Sequence, residues 1–177
     1  MPGPTFQSGD PVSLHTVEEE DLDLIERART DPDLRVPLAI DTPTNRDAVE
    51  EFFEETVSGE DGVHLLACLD GDPVGAVAFT DLDRSAGTAE LAFWILPDRQ
   101  GNGYASAAVS LLLEYGFDEL RLHRVAAECY ASNEASRGLL ASLGFTEEGR
   151  FREAAFLEGE HVDVCRYGLL AEEWRGA

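Results

Sequence analysis

Apolar residues recur along the chain with two different spacings, and these predict where its helices and strands lie. A spacing of three or four residues is typical of a helix with one buried face, and alternation or a short apolar run is typical of a strand. Helices are predicted over 17–30, 42–57, 104–117 and 133–143. Strands are predicted over 11–17, 88–96, 123–130, 145–156 and 161–170, with two more within 62–83 that are joined by a turn at 70–73. Both kinds of element therefore occur throughout the chain.

The order of these elements predicts the fold class. One strand is followed by two helices, three antiparallel strands, a helix, a strand, a helix and a final hairpin. Thr44 or Asn45 caps the second helix, and Gly144 ends the last one. Because strands and helices do not alternate regularly, the order excludes a doubly wound parallel sheet and indicates a mixed α/β fold. A single domain is expected over 1–177, since no repeat or long linker divides the chain.

Charge changes the picture of what this domain binds. The chain has 36 Asp and Glu residues, 13 basic residues and a net charge of −23, and every basic residue is arginine. Such a charge repels nucleic acids and anionic membranes, so neither is expected as a partner. An acidic surface either attracts a cationic substrate, such as a polyamine or a basic protein tail, or keeps a protein in solution in a salty cytoplasm. The charge is spread along the whole chain, which favours the second interpretation and a halophilic source.

The sequence pattern argues against two further classes of protein. No stretch approaches the roughly 20 consecutive apolar residues of a membrane span, and the first residues lack the basic and apolar parts of a signal peptide. A cytoplasmic location is therefore expected. The cysteines and histidines form no C-x-x-C or H-E-x-x-H motif, so no metal site is expected. Buried free thiols are predicted for Cys68, Cys129 and Cys165.

A loop with two closely spaced glycines, PDRQGNG over 97–103, precedes the third predicted helix. Glycine lacks a Cβ atom and lets several backbone N–H groups point the same way, and a helix start adds unpaired donors and the positive end of its dipole. The loop therefore suits an anion such as a pyrophosphate. It is not a Walker loop, since no G-K-S/T follows, and it is not a Rossmann fingerprint, since Ser106 stands where a third glycine belongs.

Several motifs together resemble the GNAT acetyltransferase superfamily, which binds acetyl-CoA. QGNGYA over 100–105 is similar to the Q/R-x-x-G-x-G/A loop of that family, and ELAFWI over 90–95 is similar to the strand before the loop. NEASR over 133–137, followed by LGF over 143–145, resembles the second cofactor motif of the family.

The resemblance extends to the C-terminal part of the chain. Residues 144–174 are similar to the Rim-type branch, which includes the N-terminal acetyltransferases of ribosomal proteins. The matching motifs span about 11–174 in the family's order, which is therefore the expected core of the domain. The resemblance implies the GNAT fold, in which a mostly antiparallel sheet is splayed at the cofactor site and flanked by helices.

The resemblance also implies which residues bind acetyl-CoA. The backbone amides of the glycine loop cradle its pyrophosphate: Gln100, Gly101, Asn102, Gly103, Tyr104 and Ala105. The strand that ends at Ile95 splays from its neighbour, which frees the Ile95 N–H for the thioester carbonyl, and Trp94 and Leu96 flank the pantetheine arm. Asn133 reaches the pantetheine or adenine side, with Arg137 one helical turn away on a compatible face. Asn133 is equally suited to cap its helix.

The usual proton donor of the family is missing from this chain. Many members protonate the departing thiolate with a tyrosine seven residues after the motif asparagine, and this chain has Leu140 at that position. The Rim-type branch tends to lack this tyrosine, and the resemblance points to Ser136 as the donor. The alternative role of Ser136 is that of a small polar residue that lets the cofactor pass. Direct transfer needs no covalent enzyme intermediate, so the absence of a Ser-His-Asp or Cys-His arrangement does not count against catalysis.

A carboxylate is the expected base for the acceptor amine. Glu90 is the first candidate, because it lies on the strand that leads to Ile95 and can reach the ammonium through a water. Its alternative role is that of a solvated residue paired with an arginine. Glu153 is the second candidate, since it is predicted to face the same side of its strand as Ala155, where some relatives have an acid. Tyr130 is the third, with packing as its alternative role.

The expected function is acetyl transfer from acetyl-CoA to a primary amine by direct attack, with a base acting through water. The resemblance favours a protein N-terminal α-amine of the ribosomal type as the acceptor. Two alternatives stay open. One is an acetyltransferase for a small amine such as a polyamine, an amino acid or an aminoglycoside, and the other is a CoA-binding module without activity. The Rim-type branch implies a monomer or a homodimer.

Overall fold

The protein is built around one eight-stranded sheet. The computed structural model describes residues 2–175 of the chain. The strands are β1 Thr5–Gln7, β2 Ser13–Thr16, β3 Val63–Leu69, β4 Asp72–Asp83, β5 Thr88–Ile95, β6 Arg124–Tyr130, β7 Thr146–Leu157 and β8 Glu160–Leu170. They lie in the order β1-β2-β3-β4-β5-β6-β8-β7, and β5 and β6 run parallel while the other neighbours run antiparallel. The predicted mixed α/β fold with a mostly antiparallel sheet is confirmed.

Helices connect the strands and cover both faces of the sheet. Their bounds are α1 Leu22–Thr30, α2 Pro32–Arg35, α3 Arg46–Phe52, α4 Tyr104–Asp118, α5 Glu134–Ser142 and α6 Ala171–Arg175. The Asn45 side chain accepts the Ala48 N–H at 3.0 Å, which makes Asn45 rather than Thr44 the cap of α3. Among the helices within 2–175, none combines the length and the apolar character needed to cross a bilayer.

Three short elements were not predicted from the sequence. β1 pairs with β2 at the edge of the sheet, α2 follows directly after α1, and α6 ends the described chain. Each is too short to display a periodic pattern of apolar residues. In α2, Pro32 occupies the first turn and the Asp31 side chain accepts the Asp33 N–H at 3.0 Å, so local capping rather than periodicity begins this helix.

The two faces of the sheet are covered differently. The main hydrophobic core lies between the sheet and α4, and it includes the inward side chains of β3 to β6 and β8. On the other face, α1 and α3 enclose a smaller cluster around Leu22, Ile25 and Val49. A third cluster joins Leu34 of α2 to Leu96 at the end of β5. On the same face of the sheet, β6 and β8 carry the charged side chains of Glu128 and Arg166.

Two helical glycines provide a test of how α4 packs on the sheet. A Cβ atom at Gly116 would lie 2.7 Å from the ring of buried Phe79, whereas one at Gly138 of α5 would meet nothing within 4 Å. Gly116→Ala is therefore expected to lower the free energy of unfolding by about 1–3 kcal/mol through overpacking. Gly138→Ala is expected to raise it by about 0.5–1 kcal/mol, because alanine is the better helix former. Urea denaturation of both variants measures this, and equal effects would contradict the close packing of Gly116 on Phe79.

Candidate active site

The sheet opens between β5 and β6 and forms a cleft. The two strands pair only at their first three residues, Thr88–Glu90 with Arg124–Ala126. Beyond this point β5 stays paired with β4, and β6 stays paired with β8. The gap widens into a cavity of about 860 Å³, lined by the second half of β5, the glycine loop, β6, α5, the α2 segment and the β7–β8 hairpin. The predicted splay of the sheet is therefore present.

The backbone N–H and carbonyl of Ile95 point into this cleft. The next N–H, that of Leu96, donates to the Val74 carbonyl of β4 at 2.9 Å. The N–H groups of successive residues in a strand point to opposite sides. The Ile95 N–H therefore points away from β4 and toward the gap. On the same side the Ile95 carbonyl accepts a hydrogen bond from the Gln100 side chain at 2.9 Å. Gln100 thus holds the end of β5 in place.

The glycine loop forms an open concavity at the start of α4. Gly101 and Gly103 have φ of 78° and 80°, and a Cβ atom at either position would meet nothing within 4 Å. Gly103 is the N-cap residue of the 15-residue helix α4, whose first N–H groups are free donors. The Asn102 side chain donates to the carbonyls of Arg99 and Gln100 and shapes the turn rather than the cavity wall. The concavity fits the pyrophosphate that the sequence predicted.

Asn133 and Ser136 lie together in the cavity wall at the start of α5. The Asn133 Oδ1 accepts the Ser136 N–H at 3.1 Å, so Asn133 does cap its helix. Its contact with the cofactor stays a prediction. Leu140, at the position of the missing tyrosine, is buried beneath the same wall and offers no proton.

Two further residues expected to bind the cofactor lie outside the cavity wall. Leu96 is buried against Leu34, because α2 covers that side of the strand end; Trp94, on the same face, does line the cavity. Arg137 donates to the Tyr167 hydroxyl at 3.3 Å and approaches Glu147 at 3.5 Å. Its long side chain therefore turns toward β7 and β8 rather than the cleft.

Two carboxylates and an arginine form an ion-pair cluster at the point where β5 and β6 part. Arg166 of β8 contacts Glu128 of β6 at 2.6 Å and Glu90 of β5 at 3.1 Å. The hydrogen bond that Arg166 donates to Glu128 raises the pKa of Arg166. Glu128 lines the cavity, whereas Glu90 lies outside the cavity wall. Glu90 is paired with Arg166, which is the second of the two roles that the sequence left open for it. Glu128 and Arg166 were not predicted from the sequence, since only the pairing of β6 with β8 brings them together.

Glu153 does not lie where the sequence predicted. The register of β7 shifts between Phe151 and Ala155, and Glu153 has φ of 50°. Its N–H donates to the Asp163 side chain at 3.0 Å, and its own side chain is exposed. The alternation that would place it beside Ala155 is therefore broken, and Ala155 lines the cavity without it.

Tyr130 and Cys129 also line the cavity. Burial raises the pKa of Tyr130, with a further contribution from the charge of Asp41. Burial raises the pKa of Cys129 to about 11, so its thiol stays protonated and is a poor nucleophile near neutral pH. Within residues 2–175, no group of three or more His, Cys, Asp or Glu side chains is arranged to hold a metal ion.

Comparison with known proteins places the chain in a family. Residues 12–146 match the family described as Acetyltransferase (GNAT) domain, and the chain belongs to it. It is a GNAT-type N-acetyltransferase, a class that uses acetyl-CoA.

Individual relatives agree with this assignment. YdaF of Bacillus subtilis, provisionally named a ribosomal N-acetyltransferase, is 33% identical over 75% of this chain and 73% of its own. The uncharacterized N-acetyltransferase p20 of Bacillus licheniformis is 30% identical over 93% of this chain and 96% of its own. Among solved structures, spermidine N-acetyltransferase from Vibrio cholerae in complex with CoA and spermine shares the fold. Its TM-score is 0.89 at 23% identity, covering 94% of this chain and 99% of that one.

The concavity of the glycine loop can be tested with two matched glycines. Gly103→Val places a side chain where the pyrophosphate is expected, and Gly159→Val creates the same backbone strain at the β7–β8 turn, where φ is 94° and space is also open. Gly103→Val is expected to weaken CoA binding at least about tenfold, that is by about 1.4 kcal/mol or more, by calorimetric titration. Gly159→Val is expected to keep the affinity of the unaltered protein. Equal affinity of the two variants would place the pyrophosphate elsewhere.

Proposed function

We propose that this protein transfers the acetyl group of acetyl-CoA to the α-amine of a protein N-terminus. One observation carries the proposal: the backbone N–H of Ile95, which points away from β4, and the carboxylate of Glu128 belong to residues that line the same cleft. An amide donor and a base are the two groups that direct acyl transfer to an amine needs. The similarity to YdaF over three-quarters of the chain supports a protein N-terminus as the acceptor.

The donor side of the cleft is formed by backbone groups. The amides from Gln100 to Ala105 hold the pyrophosphate, and Trp94 packs beside the pantetheine arm. The Ile95 N–H donates to the thioester carbonyl and stabilises the negative charge that develops on its oxygen. Asn133 contributes its amide group next to the arm while it caps α5.

The acceptor side supplies the proton transfers. Glu128 accepts a proton from the acceptor ammonium through a water, and the neutral amine then attacks the carbonyl carbon. Arg166 fixes the orientation of Glu128 and links it to Glu90. As the C–N bond forms and the C–S bond breaks, Ser136 gives its hydroxyl proton to the departing sulfur. The nitrogen loses its second proton through a water to Ser136, which restores the hydroxyl. Glu90 acts behind Glu128 as a positioning residue in this proposal, and Glu153 has no part in it.

A small polyamine is the second candidate acceptor. Carboxylates of Asp33 and Glu128 line the cavity, and the Asp41 charge acts on Tyr130 nearby, so the cleft suits more than one cationic centre. Spermidine N(1)-acetyltransferase from Vibrio cholerae is 30% identical over 57% of this chain and 58% of its own. A peptide continues from the reacting amine as a neutral backbone, whereas a polyamine continues as an alkyl chain with further charges. This difference can be measured.

An acceptor screen tests the proposed function. The protein is incubated in molar potassium chloride with acetyl-CoA and one of three probes: a hexapeptide with a free N-terminus, the same peptide with a blocked N-terminus, or spermidine. Thiol release is expected with the free peptide, with kcat/KM at least about tenfold above that for spermidine, the difference that about 1.4 kcal/mol of transition-state binding produces. The blocked peptide should give none. A preference for spermidine would establish the polyamine alternative, and the absence of release with every probe would refute both.

The roles of the two carboxylates can be separated by charge-removing substitutions. Glu128→Gln keeps the size of the side chain but cannot accept the proton, so kcat is expected to fall about 100-fold or more. Glu90→Gln is expected to lower kcat only several-fold, because Arg166 still orients Glu128 in that variant. The reverse pattern would make Glu90 the base, and unchanged CoA affinity in both variants is the control for folding.

A further inference from the structure

Two phenylalanines of β7 are exposed although the chain has a real core in which to bury them. Phe151 is 49% and Phe156 is 66% exposed. Phe151 pairs with Val164 and Phe156 pairs with His161 across the β7–β8 ladder. Because positions 164 and 161 of an unbroken strand point to opposite faces, the two rings lie on opposite faces of the sheet. Phe151 and Phe156 can therefore be compared directly, because both rings are exposed but they lie on opposite faces of the sheet.

The face that carries Phe151 is the face of the cleft. Val164, its cross-strand partner, lines the cavity and lies two residues from Arg166, whose side chain holds Glu128. Ala155 also lines the cavity, on the β7 segment that follows Phe151. Phe156, by contrast, packs edge-on against His161 at 5.1 Å between ring centroids on the opposite face. The apolar surface of Phe151 thus continues the wall of the cavity outward.

The irregularity in β7 fixes this arrangement. Phe151 and Ala155 are four positions apart on β7, but their partners on β8, Val164 and Val162, are only two positions apart. The extra length is held by the hydrogen bond from the Glu153 N–H to Asp163. Ala154 and Ala155, both small, then form part of the cavity wall.

The spacing between Glu128 and Phe151 matches the length of a short peptide. Two strand spacings separate β6 from β7, since β8 lies between them, and Phe151 is two residues along β7 from Gly149, the residue in line with Glu128. This gives roughly 12 Å between the Cα atoms of Glu128 and Phe151. An extended chain covers about 3.5 Å per residue. An acceptor whose α-amine lies at Glu128 therefore brings its third or fourth side chain to Phe151.

We propose that Phe151 is a specificity-determining residue that contacts an apolar side chain at the third or fourth position of the acceptor peptide. This inference rests on the proposed transfer to a protein N-terminus. Removing an apolar side chain of the peptide from water against an exposed ring favours binding in proportion to the area covered. The effect falls on KM, since the contact is made alike in the bound substrate and the transition state.

Two hexapeptides and three variants test this inference. The peptides begin Ser-Ser-Leu-Leu and Ser-Ser-Ser-Ser and are otherwise identical, and thiol release from acetyl-CoA gives kcat and KM. The unaltered protein is expected to prefer the leucine peptide about tenfold in kcat/KM, the order that one or two apolar contacts supply. Phe151→Ala should reduce that preference to less than about twofold through KM, with kcat for the serine peptide unchanged. Phe151→Leu should retain most of it.

Phe156→Ala is the matched control, because it removes a similarly exposed ring from the opposite face and should behave as the unaltered protein does. The inference is overturned if Phe151→Ala keeps the preference, if Phe156→Ala loses it equally, or if the unaltered protein acetylates both peptides at the same kcat/KM. If the unaltered protein acetylates neither peptide but acetylates spermidine, the proposed function fails first and the inference fails with it. CoA affinity should be the same in all variants.

Discussion

The loss of pairing between β5 and β6 after Glu90 is the constraint on which the rest of this structure depends. Backbone polar groups inside a protein need partners, and a sheet that stayed paired would have used the N–H of Ile95 within its own ladder. Because each strand keeps its outer neighbour, the gap is stable and its inner edges stay available to a ligand. The glycine loop, α5, the α2 segment and the final hairpin then enclose it. In the proposed function, the acetyl donor occupies the place of the missing strand partner.

One arginine, Arg166, orients two acidic side chains at the cleft of this acidic protein. Arg166 brings Glu90 and Glu128 to the opening of the cleft, where two carboxylates on neighbouring strands would otherwise repel each other. All three side chains are more than one-third exposed, so the cluster contributes little to overall stability. Its value lies in orientation: a planar, permanently charged group fixes two acids in a defined geometry.

The long elements and the glycine loop could be predicted from the sequence because their signals are local. Apolar periodicity predicts α4. Gly101 and Gly103 predict the loop, because glycine adopts backbone conformations that other residues rarely adopt. What could not be predicted depends on contacts between distant segments. Leu96 is covered by α2, a helix too short to show a period, and Arg137 finds a partner on a strand 30 residues away. Glu128 could not be found because the pattern within β6 does not show which residue of β8 lies opposite.

Gln100 stands at the junction of two parts of the site. It begins the loop that is proposed to hold the pyrophosphate, and its side chain donates to the carbonyl of Ile95, whose own N–H is proposed to face the thioester. On that proposal, a ligand bound in the loop also holds the strand end next to the reacting carbonyl. The adenine nucleotide, far from the bond that breaks, would then help to align that bond, so that binding energy from a non-reacting group lowers the reaction barrier.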